Sequence, residues 1–339
     1  MAELAARLAG PFPPDPYAYG GPRVRGRVRA RPEHFQVDEE PLEPPLGEGQ
    51  HLWVQVRKRG ANTEWVARQL AQAAGVPPLD VGYAGLKDRH AVTTQWFSID
   101  LAGRDPDPAG LAGEDYEVLA VGRHPRKLRR GELAGNRFTL QLTDLAGDLD
   151  ALETLLPVLG EQGVPNYFGP QRFGRGGDNL RRAALMLAGE LRPPRHQRGL
   201  YLSAARSFLF NQVLGARVAA DTWRTALAGE APFYGGQGYR RGPSGPLWGR
   251  GRSPVFGAAA QVERDALAPY AALCEALEHV GLKQERRALA LPVADLAWQR
   301  TEEGWQLSFW LPAGAYATSV LRELVELVDQ PAAEDTSAA

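Results

Sequence analysis

Lys87, Asp88 and Arg89 are the residues of this chain whose types and spacing most clearly allow chemistry. The run Gly82-Tyr83-Ala84-Gly85-Leu86 leads into a bend of small residues, and the alternating run from Val92 to Ile99 leaves it. In a strand, Val92, Thr94, Trp96 and Ser98 share one face, with Thr93, Gln95, Phe97 and Ile99 on the other. The charged triplet then falls on the connection. Its one carboxylate, Asp88, is flanked by two cations, which favours the charged form by Coulomb attraction. A charged carboxylate on a loop braced by strands is equipped to act as nucleophile or general base. The same residues also make an ordinary solvated hairpin turn, and spacing alone does not choose.

Composition narrows the classes. At 339 residues, with 44% hydrophobic and 23% charged residues, the chain is long enough for two domains and a large core. No apolar run reaches membrane-spanning length and no basic-then-apolar leader opens the chain, so no membrane partner is expected. The single cysteine, Cys274, forms no intrachain disulfide and fits a reducing, cytoplasmic location. Histidines 34, 51, 90, 124, 196 and 279 lie apart from cysteines and paired carboxylates, so no metal is expected. Gly174-Arg175-Gly176-Gly177 lacks the spacing and the Lys-Ser/Thr of a phosphate loop, so no cofactor is expected either.

The net charge of −1 argues against a nucleic-acid partner, but its distribution argues for one. Of 39 basic residues only Lys58, Lys87, Lys127 and Lys283 are lysines. The arginines present planar forks suited to phosphate and to stacking on bases. Residues 123–137 carry six cations against Glu132, and residues 237–253 carry four cations and no acid. The balancing acids lie partly in the C-terminal tail, at Glu323, Glu326, Asp329, Glu334 and Asp335. Basic faces on a near-neutral protein can still hold RNA through its phosphates. Residues 23–31 alternate Arg with small apolar groups, which makes either a charged edge strand or a basic strip for RNA.

Around these groups the pattern predicts strands over 51–58 and 128–140. Asn62-Thr63 caps a helix with Val66, Leu70 and Ala73 inward, closed by Gly75. Asp148 or Asp150 caps the next helix, Asp178 one through Leu187, and Ser203 a helix from Ala204 to Trp223. The segment 235–253 reads as loop and 261–280 as helix. The last block is a strand, a turn and a helix over Val320–Leu327, capped by Thr318 or Ser319. Residues 1–22 and 331–339 read as loosely ordered.

The decapeptide Ala84-Gly85-Leu86-Lys87-Asp88-Arg89-His90-Ala91-Val92-Thr93 resembles the signature of the TruD-type tRNA pseudouridine synthases. Other blocks agree in order: Arg31 to Glu40, Asn62 to Ala71, Leu128 to Leu140, Gly163 to Gly174, Ser203 to Gln212, and Trp305 to Val320. The resemblance spans about residues 31–328. It implies that Asp88 acts on the target uridine, that Phe35 lies near the nucleotide, that Asn136 holds it, and that Phe138 stacks on the flipped base. It also implies that Tyr316, a position that is Phe in some relatives, lines the pocket. Lys87 and Arg89 are carried over as substrate-binding neighbours of Asp88. By pattern alone, Phe35 and Phe138 are core strand residues and Asn136 a turn residue.

The expectation is therefore an α/β (α+β) protein with a largely antiparallel mixed sheet and an inserted α/β domain. Residues 1–163 and 295–339 form the catalytic part and 164–294 the insertion. The substrate implied is uridine 13 in the D arm of tRNA, with a monomeric, cofactor-free enzyme. Two other classes use the same residues. One is an RNA-binding protein without chemistry. The other is a glycoside hydrolase pairing Asp88 with Glu33 or Glu39, which needs two carboxylates at a fixed separation.

Overall fold

A computed structural model describes residues 8, 14–104, 106–231, 233–235, 238–240 and 242–328. Of the segments expected to be loose, 1–22 and 331–339, residues 1–7, 9–13 and 331–339 lie outside these residues, as do Asp329, Glu334 and Asp335. Residues 14–22, by contrast, are tied down, with Asn211 donating to Asp15 and Tyr167 to the Pro16 carbonyl. The chain divides into two compact units. A sheet unit comprises Pro22–Glu161, Val293–Gly314 and Leu324–Ala339, and a helical unit comprises Met1–Gly21, Gln162–Pro292 and Ala315–Glu323.

In chain order the first elements are β1 (Val24–Arg27), β2 (Phe35–Glu40), β3 (His51–Arg59), α1 (Thr63–Ala74), β4 (Val81–Tyr83), β5 (Val92–Asp100), β6 (Tyr116–His124), β7 (Gly135–Gly147) and α2 (Leu149–Gln162). The helical unit supplies β8 (Val164–Pro165), α3 (Asp178–Leu187), α4 (Arg195–Ala219), β9 (Phe233–Gly235), β10 (Gly238–Arg240), β11 (Ser244–Leu247), α5 (Gly257–Leu267), α6 (Ala271–Glu278), β12 (Glu285–Ala288) and β13 (Ala290–Leu291). The chain then adds β14 (Ala294–Thr301), β15 (Gly304–Pro312), α7 (Ala317–Leu324) and β16 (Glu326–Leu327).

The main sheet runs β14-β15-β7-β2-β5-β3-β6, with β4 on β5 and β1 joining β7 and β16. Only β2–β5 and β1–β16 are parallel. The sheet is thus mixed and largely antiparallel, as the sequence led us to expect. Strand β5 is buried on both faces. Phe97 and Ile99 pack with Leu52, Val54 and Val56 of β3 and with Val66 and Leu70 of α1, while Trp96 packs with Trp53 and Leu128. Such a strand is a rigid base for the loop that precedes it. Gly75 ends α1 in the left-handed region (φ 65°). The apolar stripe of α1 includes Ala74, whereas Ala73 is exposed, one position from the expected register.

β7 is 13 residues long and pairs with β15, β2 and β1. It begins at Gly135, where a Cβ would lie 2.3 Å from the Trp310 ring and 2.4 Å from the Leu311 carbonyl. Backbone approach of that kind requires glycine. The expected strand 23–31 ends at Arg27 after an irregular pairing with β7. Arg23 and Arg27 then pair with Asp148 and Asp144 instead of lining one strip.

In the helical unit, α4 begins at Arg195, not at the expected cap Ser203, because the apolar stripe already starts at Tyr201 and Leu202. The Ser203 hydroxyl accepts from Arg172 at 3.1 Å. Asp178 opens α3 by pairing with Arg181 and Arg182, not by capping. Asp148, by contrast, accepts from the Ala151 N–H at the start of α2, as a cap does. Helix α7 starts at Ala317, so Ser319 lies inside it and donates to the Tyr167 carbonyl at 2.9 Å. The segment read as loop contains β10 and β11, the latter paired with β12.

Candidate active site

Residues 84–91 connect β4 to β5, and the protein pegs this loop at several points. The Lys87 N–H donates to the Thr63 hydroxyl at 3.0 Å, Thr63 donates to Gln95 at 2.9 Å, and the Gln95 amide returns to the Gly85 carbonyl at 3.2 Å. Thr63 and Gln95 are buried, so these bonds act without competition from water. The Asp88 side chain stays 24% exposed at the end of this scaffold.

The two cations beside Asp88 in sequence are not its partners in space. Arg29 supplies the charge, with Nη1 2.8 Å from Oδ2, and the His90 N–H donates to Oδ1 at 2.9 Å. Arg89 is exposed and donates to the Gly60 carbonyl at 3.2 Å. Lys87 turns inward between Asn136 Oδ1 at 2.5 Å and Glu39 Oε2 at 2.8 Å. Glu39 is itself buried, and its other oxygen accepts the Trp96 N–H at 3.2 Å. A one-residue step along a loop reverses side-chain direction, so adjacency in sequence said little about pairing. Arg29 was visible only as one member of an arginine-rich run, and Glu39 only as a carboxylate for a hydrolase.

Arg29 also joins Asp88 to the aromatic residues. Its guanidinium lies 4.0 Å over the Phe35 ring. Phe35 meets Phe138 edge-on at 6.2 Å, and Phe138 stacks on Phe309 at 5.5 Å. Phe138 and Asn136 are two residues apart on β7 and share a face. The structure thus brings Asp88, Lys87, Phe35, Asn136 and Phe138 into one contact network and leaves Arg89 outside it. Phe138 retains only 7% of its surface.

Tyr316 belongs to the helical unit. Its hydroxyl accepts a hydrogen bond from Arg172, whose guanidinium also faces Phe168, and the Tyr316 and Phe168 rings are tilted at 6.1 Å. Arg287 lies 4.2 Å over Phe168 and donates to Asn166, and burial lowers its pKa to about 10. The block 163–174 therefore builds a cation-aromatic cluster within this unit.

The carboxylates needed for a glycosidase pair are engaged elsewhere. Glu33 is bound to Arg59 on the surface, and Glu39 is held by Lys87. No group of ligand-type side chains that could hold a metal occurs among the described residues. Among these residues no helix is long and apolar enough to cross a membrane.

The sheet unit thus holds one partly exposed carboxylate beside an oriented amide and aromatic rings. A crystal structure described as a tRNA pseudouridine synthase D from Methanosarcina mazei superposes with a TM-score of 0.70, covering 95% of this chain and 98% of that one. At 22% identity that likeness concerns the fold. Curated relatives called tRNA pseudouridine synthase D are far closer in sequence. Those of Methylococcus capsulatus and Nitrosococcus oceani are each 50% identical, covering 93% of this chain and 95% and 96% of theirs. That of Aeromonas hydrophila is 46% identical, covering 91% of this chain and 93% of its own. The family model described as tRNA pseudouridine synthase D (TruD) matches residues 14–192 and 177–324. The chain belongs to the tRNA pseudouridine synthase D family.

Proposed function

We propose that Asp88 carries out the isomerisation of uridine 13, in the D arm of tRNA, with residues 1–163 and 295–339 as the catalytic part and 164–294 as the insertion. As a member of its family the chain is an isomerase that turns uridine in tRNA into pseudouridine. The reaction breaks the C1′–N1 bond, turns the uracil and rejoins C1′ to C5. The C5 proton is released and N1 takes one up, so neither redox change nor energy input is needed. Extruding the base costs a few kcal/mol.

The observation that carries the reading is the partly exposed Asp88 carboxylate, paired to Arg29 and fixed by the His90 N–H. This carboxylate acts on the nucleoside, either by covalent addition at the sugar or base or by accepting the 2′ proton. Asn136 supports it. Because an ammonium has only donors, Lys87 must face the amide oxygen, and the amide NH₂ is left to donate to a uracil carbonyl.

The test is pseudouridine mapped at nucleotide resolution on unmodified tRNA transcripts, with wild type and Asp88→Asn. Product at one D-arm position, absent with the variant, is expected. Product that survives the substitution removes Asp88 from the chemistry, and no product on any RNA favours a binding role alone.

A further inference from the structure

Lys58 is 1% exposed, on the face of β3 that buries Leu52, Val54 and Val56. Its ammonium donates to two carbonyls, that of Ala61 at 2.7 Å and that of Asp88 at 2.8 Å. A buried ammonium is costly unless its hydrogen bonds are satisfied, and one of these bonds is made to the backbone of the residue whose side chain meets the nucleoside. β3 is paired along its whole length with β5 on one side and almost all of it with β6 on the other, so the base of the Lys58 side chain is rigid.

We propose that Lys58 is a positioning residue, tying the Asp88 carbonyl to β3 and so fixing where the Asp88 carboxylate meets the nucleoside. The proposal rests on the reading of Asp88 above. Composition points the same way. Only four of 39 basic residues are lysines, and two of them, Lys58 and Lys87, are the inward-facing cations on either side of Asp88. A compact ammonium fits between two converging carbonyls where a planar guanidinium fork does not.

The charged groups facing this ammonium are Asp88 and Lys87, with Arg29 beyond on the Asp88 carboxylate. Opposite Lys58, β5 and β6 present Thr93 and Tyr116. Its strand neighbours Arg57 and Arg59 point to the other face, towards Glu117 and Glu33. Burial lowers the Lys58 pKa to about 8, against the attraction of Asp88 and with the repulsion of Lys87. The tie is therefore fully charged below that pH and loses its charge above it.

The experiment is single-turnover pseudouridine formation and tRNA affinity for wild type, Lys58→Met, Lys58→Arg and Asp88→Asn, from about pH 6.5 to 9.5. Lys58→Met should slow turnover by about tenfold or more while tRNA affinity changes by less than about threefold. The wild-type rate should fall as pH rises through about 8, and that fall should be missing in Lys58→Met. A wild-type rate in Lys58→Met, or the same alkaline fall in both proteins, overturns the proposal. If Lys58→Met does not fold, Lys58→Arg decides: its rate relative to wild type must rise above pH 8, and a constant ratio overturns the proposal. Full turnover by Asp88→Asn would instead sink the reading of Asp88 itself.

Discussion

Arg29 does two jobs with one guanidinium, pairing with Asp88 and covering Phe35. Removing it leaves the carboxylate without its salt-bridge partner and opens one side of the Phe35 ring. Arg29→Met is therefore expected to lower kcat by about 100-fold, with melting temperature little changed, and Arg29→Lys to recover part of the loss. Steady-state rates on a tRNA transcript check this, and a near-wild-type kcat for Arg29→Met would show the pair to be incidental. Asn136→Asp makes a second residue-scale case. It replaces the donating NH₂ by an acceptor while keeping contact with Lys87. Turnover should fall more steeply than tRNA affinity, because the tRNA backbone contacts are untouched.

At the scale of elements, the active loop depends on the stiffness of what holds it. Leu70 of α1 is fully buried against β3 and β5. Leu70→Ala should cost about 2–5 kcal/mol by urea denaturation, as buried leucine truncations do. Gly135→Ala acts on the start of β7, where the added methyl meets backbone rather than a flexible chain end. It should destabilise the strand that carries Asn136 and Phe138 and lower both stability and turnover. The basic run 123–137 is less free than its composition suggests. Arg126 is bound to Glu43, Arg130 to Tyr83 and Arg137 to Asp295. The exposed Arg129 remains a candidate phosphate contact. Arg129→Ala should weaken tRNA binding and reduce the salt slope by about one, measured by filter binding across salt concentrations; an unchanged slope excludes that contact.

For the molecule as a whole, stability depends on charges that the helical unit buries. Arg217 and Glu230 form a buried pair at 2.7 Å. Glu230→Gln should cost about 3–5 kcal/mol because it strands a buried guanidinium. Asp15 makes the pH case. Burial raises its pKa from 3.8 to about 6, against the opposing attraction of Arg322. The folded state thus holds a proton that the unfolded chain releases. The stabilisation is complete below pH 3.8 and is lost as pH rises through about 6. Asp15→Asn should remove that decline, which thermal melts across this window will show.

Much of this protein was legible before its structure. The loop position of Asp88, the alternation of β5, the helix ending at Gly75 and the ordered motif blocks are local. They follow from turn chemistry, side-chain period and the αL preference of glycine, all written in a few adjacent residues. The resemblance named the family from the same short blocks. What sequence could not decide was direction and partnership. Lys87 and Arg89 flank Asp88 along the chain, yet the loop turns one inward to Glu39 and Asn136 and the other out to Gly60. Arg29 reaches Asp88 because β1 ends at Arg27 and the chain then runs into β2, beside β5 in the parallel pairing. Lys58 reaches the same loop from β3, across a separation of thirty residues. These pairings join strands distant in sequence, and only packing of the whole sheet sets which polar group each buried charge can find.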